Sequence, residues 1–294
     1  MPELPDVIVY VERLEDRLVG RTLQRLRLLN PFLLRSVAPP VSQAEGRKVK
    51  GVRRMGKRIV FELEGALFVV LHLMIAGRLR WLAKDKKPPG RISLAAFEFD
   101  DGTLILTEAG TKRRASLHLV EGEAALAAMD PGGLEVLDAR LEDFAARLKA
   151  DRHTLKRALT DPHRFSGIGN AYSDEILHRA KLSPFAQTSS LSDEDVKRLY
   201  DATRSILVEW TERLRSKAGM DLPEKVTAFH EEMAVHGRYR KPCPVCGSPV
   251  QRIVYAENET NYCARCQTGG RLLADRSLSR LLKKSWPRSI DEME

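Results

Sequence analysis

Four cysteines, all in one short window near the C-terminus, form the clearest chemical pattern in this sequence. They make two Cys-x-x-Cys pairs, Cys243 with Cys246 and Cys263 with Cys266, and 16 residues separate the pairs. Each pair can place two thiolates on one ion, and two pairs complete a tetrahedral Zn²⁺ site. Because protein ligands fill all four positions, we expect one structural zinc ion. Two disulfides or four reduced thiols without a metal are the alternatives, and they fit a reducing compartment poorly.

A second reactive group is at the start of the chain, where Pro2 follows Met1 and precedes Glu3. Removal of Met1 would leave a secondary amine, and a chain-end amine has a reference pKa near ~8, so part of it is unprotonated near neutral pH. Such an amine can attack a sugar C1′ and form an iminium, with the Glu3 carboxylate moving protons beside it. If Met1 is retained, the Pro2 nitrogen is an amide and cannot attack. Read alone, Met-Pro-Glu is a common chain start and does not indicate an enzyme.

The overall charge favours a polyanionic partner. The 294 residues include 43% hydrophobic and 30% charged residues, and the formal net charge is +9. Such an excess of Lys and Arg favours nucleic acid first and an anionic membrane second. No apolar run reaches the ~20 residues that span a bilayer, and the first residues lack the basic and apolar segments of a signal peptide. We therefore expect a cytoplasmic protein that does not enter a membrane.

The first half of the chain is predicted to hold one helix followed by strands. Apolar residues at helical spacing from Val7 to Leu18 indicate the helix, and Pro5 suits its first turn. Runs rich in β-branched and apolar residues follow, separated by Gly or charged turns, at 23–29, 49–53, 58–63, 67–74, 78–82, 94–99 and 103–107. Successive strands without helices between them predict an antiparallel sandwich or barrel.

The second half is predicted to be helical up to the cysteines. A turn cluster, Asp-Pro-Gly-Gly at 130–133, marks the linker. Helical patterns follow at 141–150, 153–160, 171–180 and 193–216. We therefore predict an α+β protein: an N-terminal helix with an antiparallel β-sandwich, then a helical domain with a C-terminal zinc β-hairpin. The predicted boundaries are 2–130, 131–241, 242–267 for the hairpin and 268–294 for a basic tail.

Several motifs occur in a fixed order along the chain. They are Pro2-Glu3-Leu4-Pro5-Asp6-Val7, Gly56-Lys57-Arg58, His72-Leu73-Met74 leading to Gly77, Gly167-Ile168-Gly169-Asn170-Ala171-Tyr172 and the four cysteines. Their spacing over roughly residues 2–267 resembles the formamidopyrimidine-DNA glycosylase and endonuclease VIII family of bacterial base-excision enzymes. The resemblance implies a catalytic sandwich domain, a helix-two-turns-helix DNA-binding domain, and a monomer that binds double-stranded DNA with a damaged base or an abasic site.

The resemblance also implies roles for individual residues. Pro2 matches the nucleophile that displaces the damaged base and then supports β,δ-elimination, and Glu3 matches its acid/base partner. Lys57 matches a β-hairpin lysine that contacts phosphates beside the lesion. Asn170 matches an asparagine that binds backbone phosphate, in accord with a phosphate site at a helix N-terminus preceded by Gly167 and Gly169. Such enzymes act on a nucleotide rotated out of the duplex.

The chain departs from the family pattern at several positions that contact DNA in the family. Asn258 stands where the family's zinc hairpin carries a phosphate-binding arginine, so an amide replaces a charged donor. Ile75 stands at the position of the methionine that fills the space left by the extruded base. Arg113 or Arg114 can supply the cation of the neighbouring loop, while Ala115 replaces its aromatic wedge.

Two hypotheses about function follow. The first is a DNA glycosylase with AP lyase activity that removes damaged bases, expected to be oxidised ones, through a Schiff base on Pro2. The alternative is a damaged-DNA sensor that kept the scaffold and lost turnover, motivated by Asn258 and Ala115. Residues 217–229 lack the Gly-Gly-Thr-Thr pattern of enzymes that bind 8-oxoguanine. The sequence therefore does not identify the lesion that is removed.

Overall fold

The protein is described here from a computed structural model that covers residues 1–223, 230–255, 258–274, 281 and 287–292, without the side chains of Tyr255 and Asn258. The chain divides into two compact units. Unit 1 comprises Met1–Pro131 with Trp210–Thr227, and unit 2 comprises Gly132–Glu209 with Ala228–Glu294. Within the described ranges, no helix combines the length and the apolar character needed to cross a membrane.

Unit 1 begins with helix α1, Leu4–Leu18. Val7, Tyr10, Leu14 and Leu18 lie on one face at helical spacing, and all four are fully buried in the core of the unit. Pro5 lies in the first turn, where its missing N–H removes no helical hydrogen bond. This face packs on the strand that begins at Arg47, which fixes where the first residues of the chain lie.

Two antiparallel sheets follow α1 in unit 1. Their strands are β1 (Thr22–Leu23), β2 (Arg25–Leu28), β3 (Arg47–Met55), β4 (Arg58–Leu63), β5 (Leu67–His72), β6 (Gly77–Ala83), β7 (Ser93–Phe99), β8 (Gly102–Glu108) and β9 (Ser116–Glu121). One sheet has the order β1-β3-β4-β5-β9 and the other β2-β7-β8-β6. Inward side chains of both sheets share one core, in which the rings of Phe61 and Phe97 meet edge to face at 5.7 Å. The predicted β-sandwich is therefore confirmed.

Unit 2 is built from helices around a second core. After the short α2 (Glu123–Ala127) of unit 1, the helices are α3 (Leu141–Lys149), α4 (Leu155–Thr160), α5 (Asn170–Arg179) and α6 (Asp193–Ala218), whose last residues belong to unit 1. Phe144 packs against Phe165 and Tyr200, with ring centroids 4.8 and 5.5 Å away. Helix α4 begins at a regular N-cap, where the Thr154 hydroxyl accepts the N–H of Arg157.

The cysteine window forms a small module in unit 2. Strands β10 (Gln251–Tyr255) and β11 (Asn258–Tyr262) pair as an antiparallel hairpin, and α7 (Ala264–Thr268) follows. The described part of the predicted tail packs back on this module, because Ile290 is buried beside Ile253 and Tyr262. The tail residues 275–280, 282–286 and 293–294 lie outside the described residues, as do 224–229 of the predicted helical domain.

Three of the elements named above were not predicted from the pattern: strand β9 and the five-residue helices α2 and α7. Strand β9 alternates buried Leu117 and Leu119 with more exposed neighbours, but the run is short and includes His118. Helix α2 has only five residues, too few for a helical periodicity. The predicted strand 67–74 was too long, since β5 ends at His72 and residues 74–76 form a turn.

Candidate active site and metal centre

The first residues of the chain are held at the N-terminus of α1. Pro2 and Glu3 are buried, and Glu3 occupies the N-cap position. The Asp6 carboxylate accepts the backbone N–H of Glu3 at 2.8 Å. The motif Pro2-Glu3-Leu4-Pro5-Asp6 therefore has two local effects. It begins helix α1, and it fixes the backbone of Pro2 and Glu3, the predicted nucleophile and acid.

The charges around the chain start are partly removed from water. Burial lowers the pKa of the Met1 amino group; the carboxylates of Glu3 and Asp6 oppose this shift, and Arg78 and Lys57 add to it. Burial also raises the pKa of Asp6 to about 7. An amine at this point of unit 1 is therefore biased toward its neutral, nucleophilic form, which is what covalent amine catalysis needs.

Lys57 lies at the tip of the hairpin that joins β3 to β4. Met55 pairs with Arg58, so Gly56 and Lys57 form a two-residue turn, and Gly56 has a φ of +59°. A positive φ at the first central position is what such a turn requires, and glycine adopts it without strain. Burial lowers the pKa of the Lys57 amino group, and the negative charge of Glu3 raises it. The structure thus brings Lys57, Glu3 and the chain start together in unit 1.

His72 also lies in this part of unit 1, and the sequence predicted no role for it. It pairs across the sheet with Arg58. Burial, then the positive charges of Arg58 and Lys57, lower the pKa of His72 to about 4, so the ring is neutral near pH 7. Its Nε2 is buried without a hydrogen-bond partner within the described ranges. The motif His72-Leu73-Met74 was the available signal, but spacing alone gave it no role.

Ile75 lies at the tip of the turn between β5 and β6, and its side chain is 53% exposed. The turn closes when Gly77 N–H donates to the Leu73 carbonyl at 2.8 Å. A Cβ at Gly77 would lie 2.3 Å from that oxygen, so only glycine fits there. An exposed isoleucine on so constrained a turn agrees with the predicted insertion into a duplex, which stays a prediction.

The loop that carries Arg113 and Arg114 is anchored by one buried carboxylate. Glu108 accepts the backbone N–H groups of Arg114 and Ala115, each at 3.0 Å. Arg113 donates to the carbonyl of Arg91, and both arginines are exposed. Ala115 is 4% exposed and lies in the core of unit 1. The loop therefore presents cations to solvent and presents no apolar wedge at Ala115.

Asn170 is the first residue of α5 in unit 2. Its Nδ2 donates to the Glu259 carbonyl of β11 at 2.7 Å, and its own carbonyl accepts Lys156 Nζ at 2.6 Å. Gly167, with φ +78°, supplies the turn that precedes this helix. The side chain is half-buried. Its predicted phosphate contact remains a prediction, while its contact with the zinc hairpin is a feature the motif did not reveal.

The four cysteines meet in one cluster. Their sulfur atoms all lie within 4.8 Å of one another, with Cys243 Sγ 3.9 Å from Cys266 Sγ and Cys246 Sγ 3.3 Å from Cys263 Sγ. No disulfide joins them. A tetrahedral ion with Zn–S bonds near 2.3 Å needs sulfurs roughly 3.8 Å apart. Number, donor type and spacing therefore fit one structural Zn²⁺.

Asn258 is the first residue of β11, and its backbone pairs with Tyr255. Its side chain, on which the predicted DNA contact depends, lies outside the described residues. Two arginines of the same module have ion-pair partners within unit 2. Arg252 pairs with Glu259 at 3.4 Å and stacks over the Tyr239 ring, and Arg265 pairs with Asp291 at 2.7 Å.

Comparison with known proteins agrees with this architecture. Three family profiles match in order: the formamidopyrimidine-DNA glycosylase N-terminal domain at residues 1–115, the formamidopyrimidine-DNA glycosylase H2TH domain at 132–219, and the zinc finger found in FPG and IleRS at 240–269. The formamidopyrimidine-DNA glycosylase of Thermus thermophilus is 35% identical over 284 residues, which cover 92% of this chain and all of that protein. The chain belongs to the formamidopyrimidine-DNA glycosylase family.

Other members of this family show the same extent of similarity. The formamidopyrimidine-DNA glycosylase of Listeria monocytogenes is 30% identical over 91% of this chain and 100% of its own length. The crystal structure of the MutM (Fpg) protein of Thermus thermophilus superposes with a TM-score of 0.76 at 33% identity, covering 90% of this chain and 98% of that one. The Lactococcus lactis Fpg in complex with DNA containing an abasic site has a TM-score of 0.80 at 25% identity, covering 90% and 99%.

Proposed function

We propose that this protein is a base-excision repair DNA glycosylase with AP lyase activity. The observation that carries the proposal is the group in unit 1 formed by the chain start, Glu3 and Lys57, where burial lowers the pKa of the terminal amine. Membership of the family supports an enzyme over a damaged-DNA sensor, since the curated relatives are glycosylases over their whole length. The zinc ion is structural, because four thiolates complete its coordination.

The proposed chemistry starts when Met1 has been removed. The lone pair of the Pro2 nitrogen forms a bond to C1′ while the glycosidic bond breaks, and the departing base takes up a proton. The Pro2 nitrogen loses its own proton, and the C1′–O4′ bond then breaks as O4′ takes up a proton, which opens the sugar and leaves an iminium between the nitrogen and C1′. The iminium makes a C2′ proton acidic, and its loss expels the 3′ phosphate; loss of a C4′ proton then expels the 5′ phosphate. Glu3, buried beside Pro2, is the proposed proton carrier in these steps.

The proposed partner is double-stranded DNA with a damaged base or an abasic site, bound by one copy of the protein. Lys57 and Asn170 are proposed to contact phosphates, Ile75 to fill the space left by the extruded nucleotide, and Arg113 or Arg114 to face the opposite strand. We also propose a DNA contact for Asn258. The exposure of Ile75 and of both arginines supports these proposed DNA contacts.

The proposed lesions are oxidised bases, with ring-opened purines as the first to test. One solved relative, a variant of the Lactococcus lactis Fpg, was crystallised with Fapy-dG containing DNA. The net charge of +9 and a zinc site built from free thiols suit work on DNA in a reducing compartment. We therefore propose that the protein acts in the cytoplasm and associates with the nucleoid when bound to DNA.

Borohydride trapping on an abasic-site duplex tests the proposal. Intact mass first establishes that the chain begins at Pro2. The processed protein should then form a covalent adduct, because borohydride reduces an iminium to a stable amine. A matched protein with two extra residues before Pro2 has an amide at that nitrogen and should form no adduct while still binding the duplex. A processed protein that binds the duplex but gives no adduct would contradict the lyase proposal.

A further inference from the structure

Three polar residues lie in a row on one face of α5. Asn170, Asp174 and His178 are spaced by four residues, which places them above one another along a helix. Asp174 is 1% exposed and His178 is 6% exposed. Polar groups so deeply buried need hydrogen-bond partners, because an unpaired one costs about 1–3 kcal/mol. Each of the three residues has at least one partner in the module formed by β10, β11, α7 and the four cysteines, called here the zinc module.

Each residue of this row contacts a different part of the zinc module. Asn170 Nδ2 donates to the Glu259 carbonyl, and the Asp174 carboxylate accepts the backbone N–H of Asn261 at 3.1 Å. At the far end of the helix, His178 Nε2 lies 3.3 Å from Cys243 Sγ. The row therefore runs from the proposed phosphate-binding asparagine to a zinc ligand.

Two of the other thiols receive hydrogen bonds from backbone groups close to them in the chain. The backbone N–H of Ser248 is bonded to Cys246, and the backbone N–H of Cys266 to Cys263. Cys243, in contrast, meets a side chain that comes from a separate helix. When zinc is bound this sulfur is a thiolate, which has no proton to give and can only accept from His178.

We propose that His178 is a positioning residue of the zinc site, donating its Nε2–H to the Cys243 thiolate. The hydrogen bond offsets part of the negative charge of a four-thiolate site and sets the orientation of Cys243, as outer partners of metal ligands generally do. It also attaches the zinc module to α5, whose first residue is Asn170. The proposal concerns zinc retention and does not depend on which lesion the protein excises.

Zinc competition on the full-length, zinc-loaded protein tests this role. His178→Phe keeps the bulk of the ring and removes the donor, so a chelator should extract zinc about 10–100-fold more readily, the usual effect of losing such a partner. His178→Gln restores an N–H donor and should return zinc affinity to within a few-fold of the parent. His163→Phe, at an exposed histidine of the same unit, is the matched control and should change nothing.

Cobalt(II) substitution separates a hydrogen bond from simple packing. The thiolate-to-cobalt absorption bands should shift in His178→Phe and return in His178→Gln, since only the donor differs. Unchanged zinc affinity and unchanged cobalt bands in His178→Phe would overturn the proposal, as would a His178→Gln protein as weak as the Phe variant.

A measurement on the parent protein tests the proposal even if the His178 variants fail to fold. Nitrogen-15 chemical shifts of the histidine rings report which ring nitrogen carries the proton. His178 must be protonated at Nε2 in the zinc-loaded protein. A ring protonated only at Nδ1 cannot donate to Cys243, and that result would also overturn the proposal.

Discussion

The carboxyl groups of Asp6 on α1 and of Asp174 on α5 are both buried, but their surroundings differ. Around the N-terminus of α1, burial raises the pKa of Asp6 to about 7, and it lowers the pKa of the terminal amine and of Lys57 on the β3–β4 hairpin. On α5, the Asp174 carboxylate forms hydrogen bonds with three residues, Lys156, His236 and Asn261.

The difference matches the roles that we propose for the two regions: proton transfer at the N-terminus of α1 and structural support on α5. A group that must accept or give a proton near pH 7 needs a shifted pKa, and partial desolvation supplies the shift. A group that must hold two elements together needs saturated hydrogen bonds, because each unmade bond in a buried network is costly. We therefore expect substitutions at α1 to alter rate and pH dependence, and substitutions on α5 to alter stability and zinc retention.

The largest expected effect is the loss of base release in Glu3→Gln. Removing a proton carrier beside the nucleophile should reduce the single-turnover rate of base release by about 10²–10⁴-fold. The control is Glu15→Gln, an exposed acid on the same helix, which should keep the parent rate. A Glu3→Gln protein that releases base at the parent rate would remove Glu3 from the proposed chemistry.

On α5, Asp174→Ala should cost about 3–5 kcal/mol of unfolding free energy, because it leaves the buried Lys156 charge without its partner. Denaturant unfolding measures this loss. The control is Asp201→Ala, which breaks the exposed pair with Lys197 at 2.7 Å and should cost less than about 1 kcal/mol. Equal losses in the two variants would break the distinction between a supporting network and a surface pair.

Asp6 should make stability fall as pH rises from about 4 to 7. Its pKa is about 7 in the folded protein and near 3.8 when exposed, so the folded state binds more protons in this window. The stabilisation is complete below pH 4 and is lost as pH rises through 7, a change on the order of 4 kcal/mol.

Asp6→Asn keeps an oxygen that can accept the Glu3 N–H but cannot ionise, so it should flatten this dependence. Urea unfolding of both proteins between pH 4.5 and 7.5 provides the comparison. Parallel curves for parent and variant would show that Asp6 does not titrate in this range.

The smallest expected effect is that of Ile75→Ala. The side chain is exposed, so the unfolding free energy should change by less than about 0.5 kcal/mol. Ile75→Ala removes three apolar carbons worth about 0.8 kcal/mol each when buried, so binding to a damaged duplex should weaken by up to roughly 50-fold. Val37→Ala, at a fully exposed valine of the same unit, should leave DNA affinity unchanged. Equal affinity in the two variants would contradict the proposed insertion of Ile75.

Much of the protein could be predicted from sequence because its signals are local. Helical spacing of apolar residues gave α1, alternating and apolar runs gave most strands of the sandwich, and two Cys-x-x-Cys pairs gave the zinc site. In each case neighbouring residues in the chain determine the outcome: a helix face, a strand run, or two thiolates on one turn.

The remaining features depend on residues far apart in the chain, so only the tertiary structure decides them. Glu3 and Lys57 influence each other because α1 packs on β3, which carries the hairpin. Burial, which no spacing reveals, sets the pKa of Asp6 and of His72. His178 is an ordinary helical residue in sequence, and it meets Cys243 only because the zinc module folds against α5. Local pattern determines which elements form, whereas packing determines which side chains lose water and which partners they gain.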